Sequence, residues 1–476
     1  MPALNTCSLI FTLPLSILLL TGCAKYVNTG SIESAENYTI KPPASWSAAS
    51  KGQNGRISTG WLSEFNSPAM TKLVNEAISN NPNLKAAAAR LRATKLGTIG
   101  TKADKLPSLS TSTSSSRSRN GNGNSTRSIN QSYNLSLNSS WEPDIWGRLQ
   151  DLDDASISSY KASIEDYRNA RLSLAANTAR AYCNLITAGQ QLELAYQTLE
   201  SFRKNKDIVE RNYRAGVPGT RAIAVQLSRT NVSSAEGSIE SAKLQVSNAA
   251  RTLEALLGRY PAAEIKVAKE LPKLKESIPV NIPATLVSRR PDLVAAQLDV
   301  YNSAKIADVN RKNLLPSLNL SAQASTSDST ARNLFNPQFI SSSIAASLAQ
   351  TLYQGGELKA NATAALETNR AVIYDYTSTA INAFTEVEDA IASDTSLKKQ
   401  ELVLIQEIKQ ATFAEKSAEL DYSEGIENSG ILEILESQRR ATNARSSLIN
   451  LKNNRIQTRI DLHLALGGDY KTEPSK

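Results

Sequence analysis

The sequence predicts a mainly α-helical protein that also carries four β-strands, assembled from one domain-sized unit present twice. Three observations predict it. Gly (21) and Pro (17) are scarce in the 476 residues, and their placement is uneven. Residues 148–215 contain only Gly189, and residues 357–424 contain neither residue type. Each run is 68 residues long, and an unbroken helix of that length reaches about 100 Å, several times the mean helix of a globular domain. The chain also matches itself at a single offset of 209 residues, which pairs Pro82 with Pro291, Leu106-Pro107-Ser108-Leu109 with Leu315-Pro316-Ser317-Leu318, Gly147 with Gly356, Tyr213 with Tyr422, Gly216 with Gly425 and Leu257-Gly258 with Leu466-Gly467. That period is far longer than a solenoid repeat, so a whole unit is duplicated. Finally, each unit holds two strand-like segments around a polar loop.

The elements follow in order. Residues 1–22 read as a signal peptide, because Leu9–Leu20 is apolar but too short to span a bilayer. Leu20-Thr21-Gly22-Cys23 follows, a bacterial lipobox pattern that marks Cys23 for lipidation and opens a lipidated N-terminal segment over 23–60. With Cys7 removed and Cys23 acylated, Cys183 is the one remaining thiol and no intrachain disulfide forms.

The first repeat covers 61–258. A short Ala-rich helix starts after Pro82 and ends before Pro107. Strands occupy about 108–118 and 131–141, around Gly121-Asn122-Gly123-Asn124. Tyr133, Leu135, Leu137 and Trp141 alternate with Asn134, Ser136 and Asn138. The Ser-rich stretch 110–116 alternates only weakly, so these residues alone favour exposed hairpins over membrane hairpins. The long helix spans 148–215, with a small-residue seam at Leu172, Ala176, Ala179, Cys183 and Ile186. A turn at Gly216–Gly219 returns the chain through a helix at about 220–257. A Pro-rich connector, 259–283, leads to the second repeat, 284–468, with strands at about 317–326 and 339–350, a long helix at 357–424 and a return helix at about 431–466. Residues 469–476 form a tail. Four strands cannot close a membrane barrel, whose minimum is about eight, so membrane hairpins require several chains.

Composition excludes other classes. A net charge of +8 is spread without blocks of one sign, which gives no clustered basic face for nucleic acid. One His, three Cys and two Met leave little from which to build a catalytic or metal site. No enzyme activity and no cofactor are expected. A lipid-anchored structural coiled coil is the reading that periodicity alone supports.

Specific motifs go further: Gly60-Trp61, Trp141-Glu142-Pro143-Asp144-Ile145-Trp146-Gly147-Arg148, Tyr213-Arg214-Ala215-Gly216-Val217, Leu256-Leu257-Gly258, and Ile282-Pro283 followed by Ser288-Arg289-Arg290-Pro291-Asp292-Leu293. In this order, from Cys23 to Gly468, the chain resembles the TolC-like outer-membrane efflux proteins, specifically the lipidated OprM/NodT branch that serves resistance-nodulation-division pumps. The resemblance implies a long α-helical periplasmic barrel and a homotrimer in which four strands per protomer make one 12-stranded β-barrel. It implies an outer-membrane, lipid-anchored channel of a tripartite efflux system, with a periplasmic adaptor and an inner-membrane pump as partners. A duct for type I protein secretion is the alternative within the family.

The resemblance also implies site residues at the helix tips. Leu432 matches an apolar constriction. Glu433 and Glu436, three apart on one helix face, become two carboxylate rings under threefold symmetry. Arg439 and Tyr422 match residues that hold the closed state through polar links. Ala215, Gly216 and Val217, with Glu424, Gly425 and Ile426, match the tips that receive the adaptor.

Overall fold

The computed structural model describes Trp46 and residues 60–120, 128–217, 220–266, 268–274, 289–424 and 431–468. Cys23, Gly425, Ile426, the Ile282-Pro283 pair, the 121–124 loop and the tail lie outside the described residues. In chain order the elements are α1 (Pro68–Asn80), α2 (Pro82–Ala103), β1 (Ser108–Asn120), β2 (Ser128–Trp141), α3 (Arg148–Arg214), α4 (Ala222–Leu256), α5 (Pro291–Lys312), β3 (Ser317–Asp328), β4 (Ile340–Ala349), α6 (Glu357–Ser423) and α7 (Ile431–Ala465). The helices α2, α3 and α4 recur as α5, α6 and α7 with both ends displaced by 209 residues. The long helices α3 and α6 are each 67 residues long. The strands extend two to three residues beyond the expected ends in β1, β2 and β3.

The chain forms two compact units, and each draws on both repeats. The first, built from Leu91–Ser163 and Ala295–Thr377, holds the sheet. Its strands pair antiparallel in the order β1-β2-β3-β4, so the sheet is open, with β1 and β4 as edges. Register unites what the single strands hid. Leu109 lies opposite Ser139, Thr113 opposite Leu135, Trp141 opposite Leu320, and Leu318 opposite Leu348. Because directly paired residues share a side, every Leu, Ile, Tyr and Trp of the four strands falls on one face. The other face is Ser, Asn and Gln, apart from Ala345 and Ala349. Much of the apolar face is bare, with Leu109 71% exposed and Ile344 89%, while the turn Ala331–Phe335 covers Thr326, whose hydroxyl donates to the Leu334 carbonyl (2.9 Å).

The Trp141–Arg148 motif knots strand to helix within this unit. The Trp141 indole donates to the Lys105 carbonyl (3.0 Å) and the Trp146 indole to the Pro316 carbonyl (2.6 Å). The Asp144 carboxylate caps α3 by accepting from the Leu149 and Gln150 amides at 3.1 and 2.8 Å. Arg148 clasps Glu142 through both carboxylate oxygens at 2.8 and 2.9 Å. Asp151 takes ammonium groups from Lys305 and Lys312. Burial pushes its carboxyl up, but the two lysines outweigh that and hold it below the usual carboxylate range.

The second unit contains residues 60–90, Ile164–Val294 and Ser378 onward. Its core buries Trp61, Phe65, Met70, Val74 and Ala77 with Tyr182, Cys183 and Ile186. Ala176, Ala179, Cys183 and Ile186 are buried as the seam required, while Leu172 is half-buried. The seam is wider than a coiled-coil stripe. Leu174, Ala175, Thr178, Ala181, Tyr182, Leu185 and Thr187 are buried too, because α3 is covered here on several sides. Burial pushes the Cys183 thiol up to about 12, so it is a packing residue and not a reactive one.

The offset of 209 also relates two clamps. Asn81 caps α2 by accepting from Asn83 (2.9 Å), and its amide donates to the Leu256 carbonyl (2.9 Å). At the equivalent place Arg290 donates to the Ala465 carbonyl (3.2 Å) and pairs with Asp292 and Glu386 at 2.7 and 2.6 Å. The Leu-Gly motif is the other half of each clamp. Gly258 has φ +72°, and a Cβ there would lie 2.9 Å from the Asn80 carbonyl oxygen. Gly216 has φ +68° but open space around it. Gly258→Ala is therefore expected to cost about 2–3 kcal/mol and Gly216→Ala only about 1 kcal/mol. Equal shifts of the denaturant midpoint for the two variants would contradict the close-approach account.

Candidate functional site: the helix tips

At the first tip the end of α3 closes as a Schellman turn. The Val217 amide donates to the Asn212 carbonyl (3.0 Å) and the Gly216 amide to the Tyr213 carbonyl (3.2 Å). Positive φ at Gly216 is what this turn demands. Ala215 and Gly216 are exposed and Val217 is half-buried. Beneath them Glu210 receives Arg229 of α4 at 2.9 Å and Arg214 at 3.3 Å. The Arg229 contact leads, and together the cations hold the Glu210 carboxyl below its ordinary range.

The second tip joins the first through an apolar cluster of Val209, Ala224, Val225, Tyr422, Ile431 and Ile434. Tyr422 is a member of this core, 9% exposed, and its hydroxyl has no partner among the described residues. Glu424 is exposed at the last turn before the undescribed segment. On α7 the face that the sequence singled out is outward: Leu432 is 66% exposed, Glu433 is exposed and Glu436 is half-buried.

The charges around Glu436 differ from a plain carboxylate pair. Arg440 donates to Glu436 at 2.7 Å and Arg439 at 2.9 Å, and these bonds, led by Arg440, hold its carboxyl below the usual range. Arg439 is thus engaged on its own helix, one turn from Glu436. The four side chains Glu433, Glu436, Arg439 and Arg440 sum to zero charge. Spacings of three and four residues carried this signal in the sequence, where only Arg439 drew notice. Next to them Gln438 is buried and donates to Ser201 of α3 (2.9 Å) and Glu419 of α6 (3.0 Å).

Sequence reasoning missed a buried charge cluster farther along α7. His463 lies 2.5 Å from Glu64, which also pairs with Arg459, and Arg459 reaches Asp394 at 3.4 Å. Trp61 and Phe65 pack on the His463 ring at 5.9 and 6.4 Å. The cluster pins the turn Trp61–Phe65 to α7. The one His of the sequence was its only signal. Burial pushes the Glu64 carboxyl up, yet His463 and Arg459 outweigh it and hold it below the ordinary 4.5. A lowered acid pKa stabilises above the unfolded value and loses that contribution as pH falls through the folded one. Trp61 fluorescence is expected to hold through mild acid and report release only below about pH 4.5. Release between pH 5 and 7 would contradict this assignment.

Comparisons with known proteins agree with this architecture. The outer membrane efflux protein family model matches residues 73–259 and 282–468, two segments themselves offset by 209. The cation efflux system protein CusC of Escherichia coli O6:H1 is 26% identical over 459 residues, covering 95% of this chain and 97% of CusC. Outer membrane protein OprJ of Pseudomonas aeruginosa is 29% identical over 436 residues, 90% of each chain. Among solved structures, one of CusC superposes with a TM-score of 0.79 at 25% identity, covering 92% of this chain and 99% of that one. The CmeC outer membrane channel of Campylobacter jejuni superposes with a TM-score of 0.82 at 24% identity, covering 94% and 95%, and supports the fold. With both repeats matched, the chain belongs to the outer membrane efflux protein family.

Proposed function

We propose that the chain is the outer-membrane channel of a tripartite efflux pump, a passive trimeric conduit of the lipidated OprM/NodT type. The observation that carries this reading is the sheet. Four strands expose two unpaired edges, with every large apolar side chain on one face and a polar face opposite, the division a membrane barrel needs between lipid and lumen. Three copies give twelve strands, enough to close. Trp141 at one end of the apolar face and Tyr133 toward the other suit the two interfaces, where aromatic side chains collect.

In this reading Cys23 carries the lipid anchor. An adaptor docks on Ala215, Gly216 and Val217 and on Glu424, Gly425 and Ile426, and an inner-membrane pump drives the assembly. The gate is built from Leu432, Glu433, Glu436, Arg439 and Tyr422. The Tyr422 hydroxyl, buried and without a partner among the described residues, supports a role in switching, since such a donor gains a bond in any state that gives it a partner. The exposed Leu432 and Glu433 support a lumen constriction.

The purified protein in planar bilayers is expected to conduct ions. Glu433→Gln should shift its selectivity toward anions, and Glu436→Gln should shift it further, because it leaves two guanidiniums without their carboxylate. Unchanged selectivity in both variants would remove these residues from the gate, and absence of conductance in the wild type would overturn the channel. Separately, Cys23→Ser should abolish incorporation of labelled fatty acid. Labelling that persists would place the anchor elsewhere.

A further inference from the structure

The four strands carry few charges, and register gathers them at one end of the sheet. Among the described residues, the strands and the segment joining β3 to β4 hold the cations Arg117, Arg119 and Arg332 and the anion Asp328. Arg117 lies opposite Gln131 and Arg119 opposite Ile129, beyond the pair Ser115–Tyr133 on the side away from the helices. Both therefore stand on the apolar face, and a slip of one residue would turn them to the polar one. Trp141 and Tyr133 mark the aromatic ends of the apolar band, and the strand between them covers roughly 20 Å of height at a barrel tilt of about 40°. Arg117 and Arg119 stand about 5 and 10 Å higher than Tyr133, level with headgroups and clear of most hydrocarbon. Ile129 is the one apolar side chain of β1 and β2 at their level.

The segment after β3 folds back over the same face. The Asp328 carboxylate accepts from the Thr330 amide (2.7 Å) and the Asn333 side-chain amide (3.0 Å), which holds the turn Ala331–Phe335 in place. Leu334 is buried against the strands, while Arg332 and Phe335 are exposed, Phe335 by 82%. Asp328 thus spends its carboxylate on the turn. None of the three guanidiniums has an ion-pair partner among the described residues. Between turn and strands, Leu135, Leu137, Ala324, Leu334, Phe335 and Ile340 line a crevice of about 280 Å³.

We propose that this end of the apolar face binds a phosphorylated glycolipid of the outer leaflet. The proposal rests on the reading of that face as the membrane face. Arg117, Arg119 and Arg332 take the phosphates, and the crevice under the turn takes an acyl chain. The cations are all Arg, whose planar fork pairs two-pronged with phosphate oxygens where Lys offers a point charge. Their spread exceeds one phosphate: Arg117 and Arg119 are about 7 Å apart along β1, and the turn that carries Arg332 packs over β2 and β3, up to two strand spacings or roughly 10 Å away. A glycolipid phosphorylated at two places on its sugars spans that distance, whereas a glycerophospholipid brings one phosphate. Cations and crevice also adjoin through the turn itself, as head and tail do in one amphiphile.

The test is native mass spectrometry of the full-length protein in nonionic detergent, titrated separately with diphosphoryl lipid A, dephosphorylated lipid A and phosphatidylglycerol. Diphosphoryl lipid A is expected to stay bound at collision energies that strip the other two. Arg117→Gln/Arg119→Gln/Arg332→Gln should lower its occupancy about tenfold, Phe335→Ser should lower it less, and Arg251→Gln on α4 should leave it unchanged. Equal retention by the triple variant, or an equal loss from the α4 variant, would overturn the site. Phosphatidylglycerol held as firmly as lipid A would overturn the choice of a glycolipid. Conductance in planar bilayers separates the site from the channel. A triple variant that conducts as the wild type does yet releases lipid A supports the site, and a wild type that does not conduct would overturn the membrane reading beneath it.

Discussion

An unpaired strand edge cannot face hydrocarbon. Each backbone N–H or C=O left without a partner in lipid costs several kcal/mol, so only helices and closed barrels cross a bilayer. This sheet has an apolar face fit for lipid and two open edges. Among the described residues neither edge has a partner strand. The pairing that the sheet lacks must come from outside the chain, and the proposed trimer is what supplies it.

Within each unit, the motif residues spend their chemistry on joints. Trp141, Asp144 and Trp146 turn strand into helix through two indole bonds and one carboxylate cap. Asn81 and Arg290 tie the return helices to the short ones by donating to equivalent carbonyls. Such joints fix the direction in which the long elements leave the strands and the short helices. The tips differ. They hold a small apolar cluster, a hydroxyl without a partner among the described residues, and charge pairs along one helix, a composition that leaves them easier to rearrange than the joints.

Much of this was legible in the sequence. Missing Gly and Pro located α3 and α6 to within a residue, because nothing else interrupts a helix so reliably. The offset of 209 located the paired elements. The membrane face was not legible in β1, where Ser110 to Ser116 conceal it. The face exists only after Thr111 and Thr113 are set beside Leu137 and Leu135, a consequence of register and not of local pattern. The wide burial around Tyr182 was hidden for a similar reason, since the covering residues Trp61 and Phe65 lie more than a hundred positions away. At the tip, the Glu436 pairing was present as local spacing, whereas the burial of Tyr422 depended on Val209 and Val225 from the other repeat.

If a chain holds one third of a barrel, stoichiometry is its most direct consequence. Two copies already supply eight strands, the lower limit for closure, so strand count alone does not select three. Native mass spectrometry of the detergent-extracted full-length protein decides it. The predicted result is a single dominant species of three chains that persists on dilution. A dominant single chain or a stable two-chain species would contradict the account.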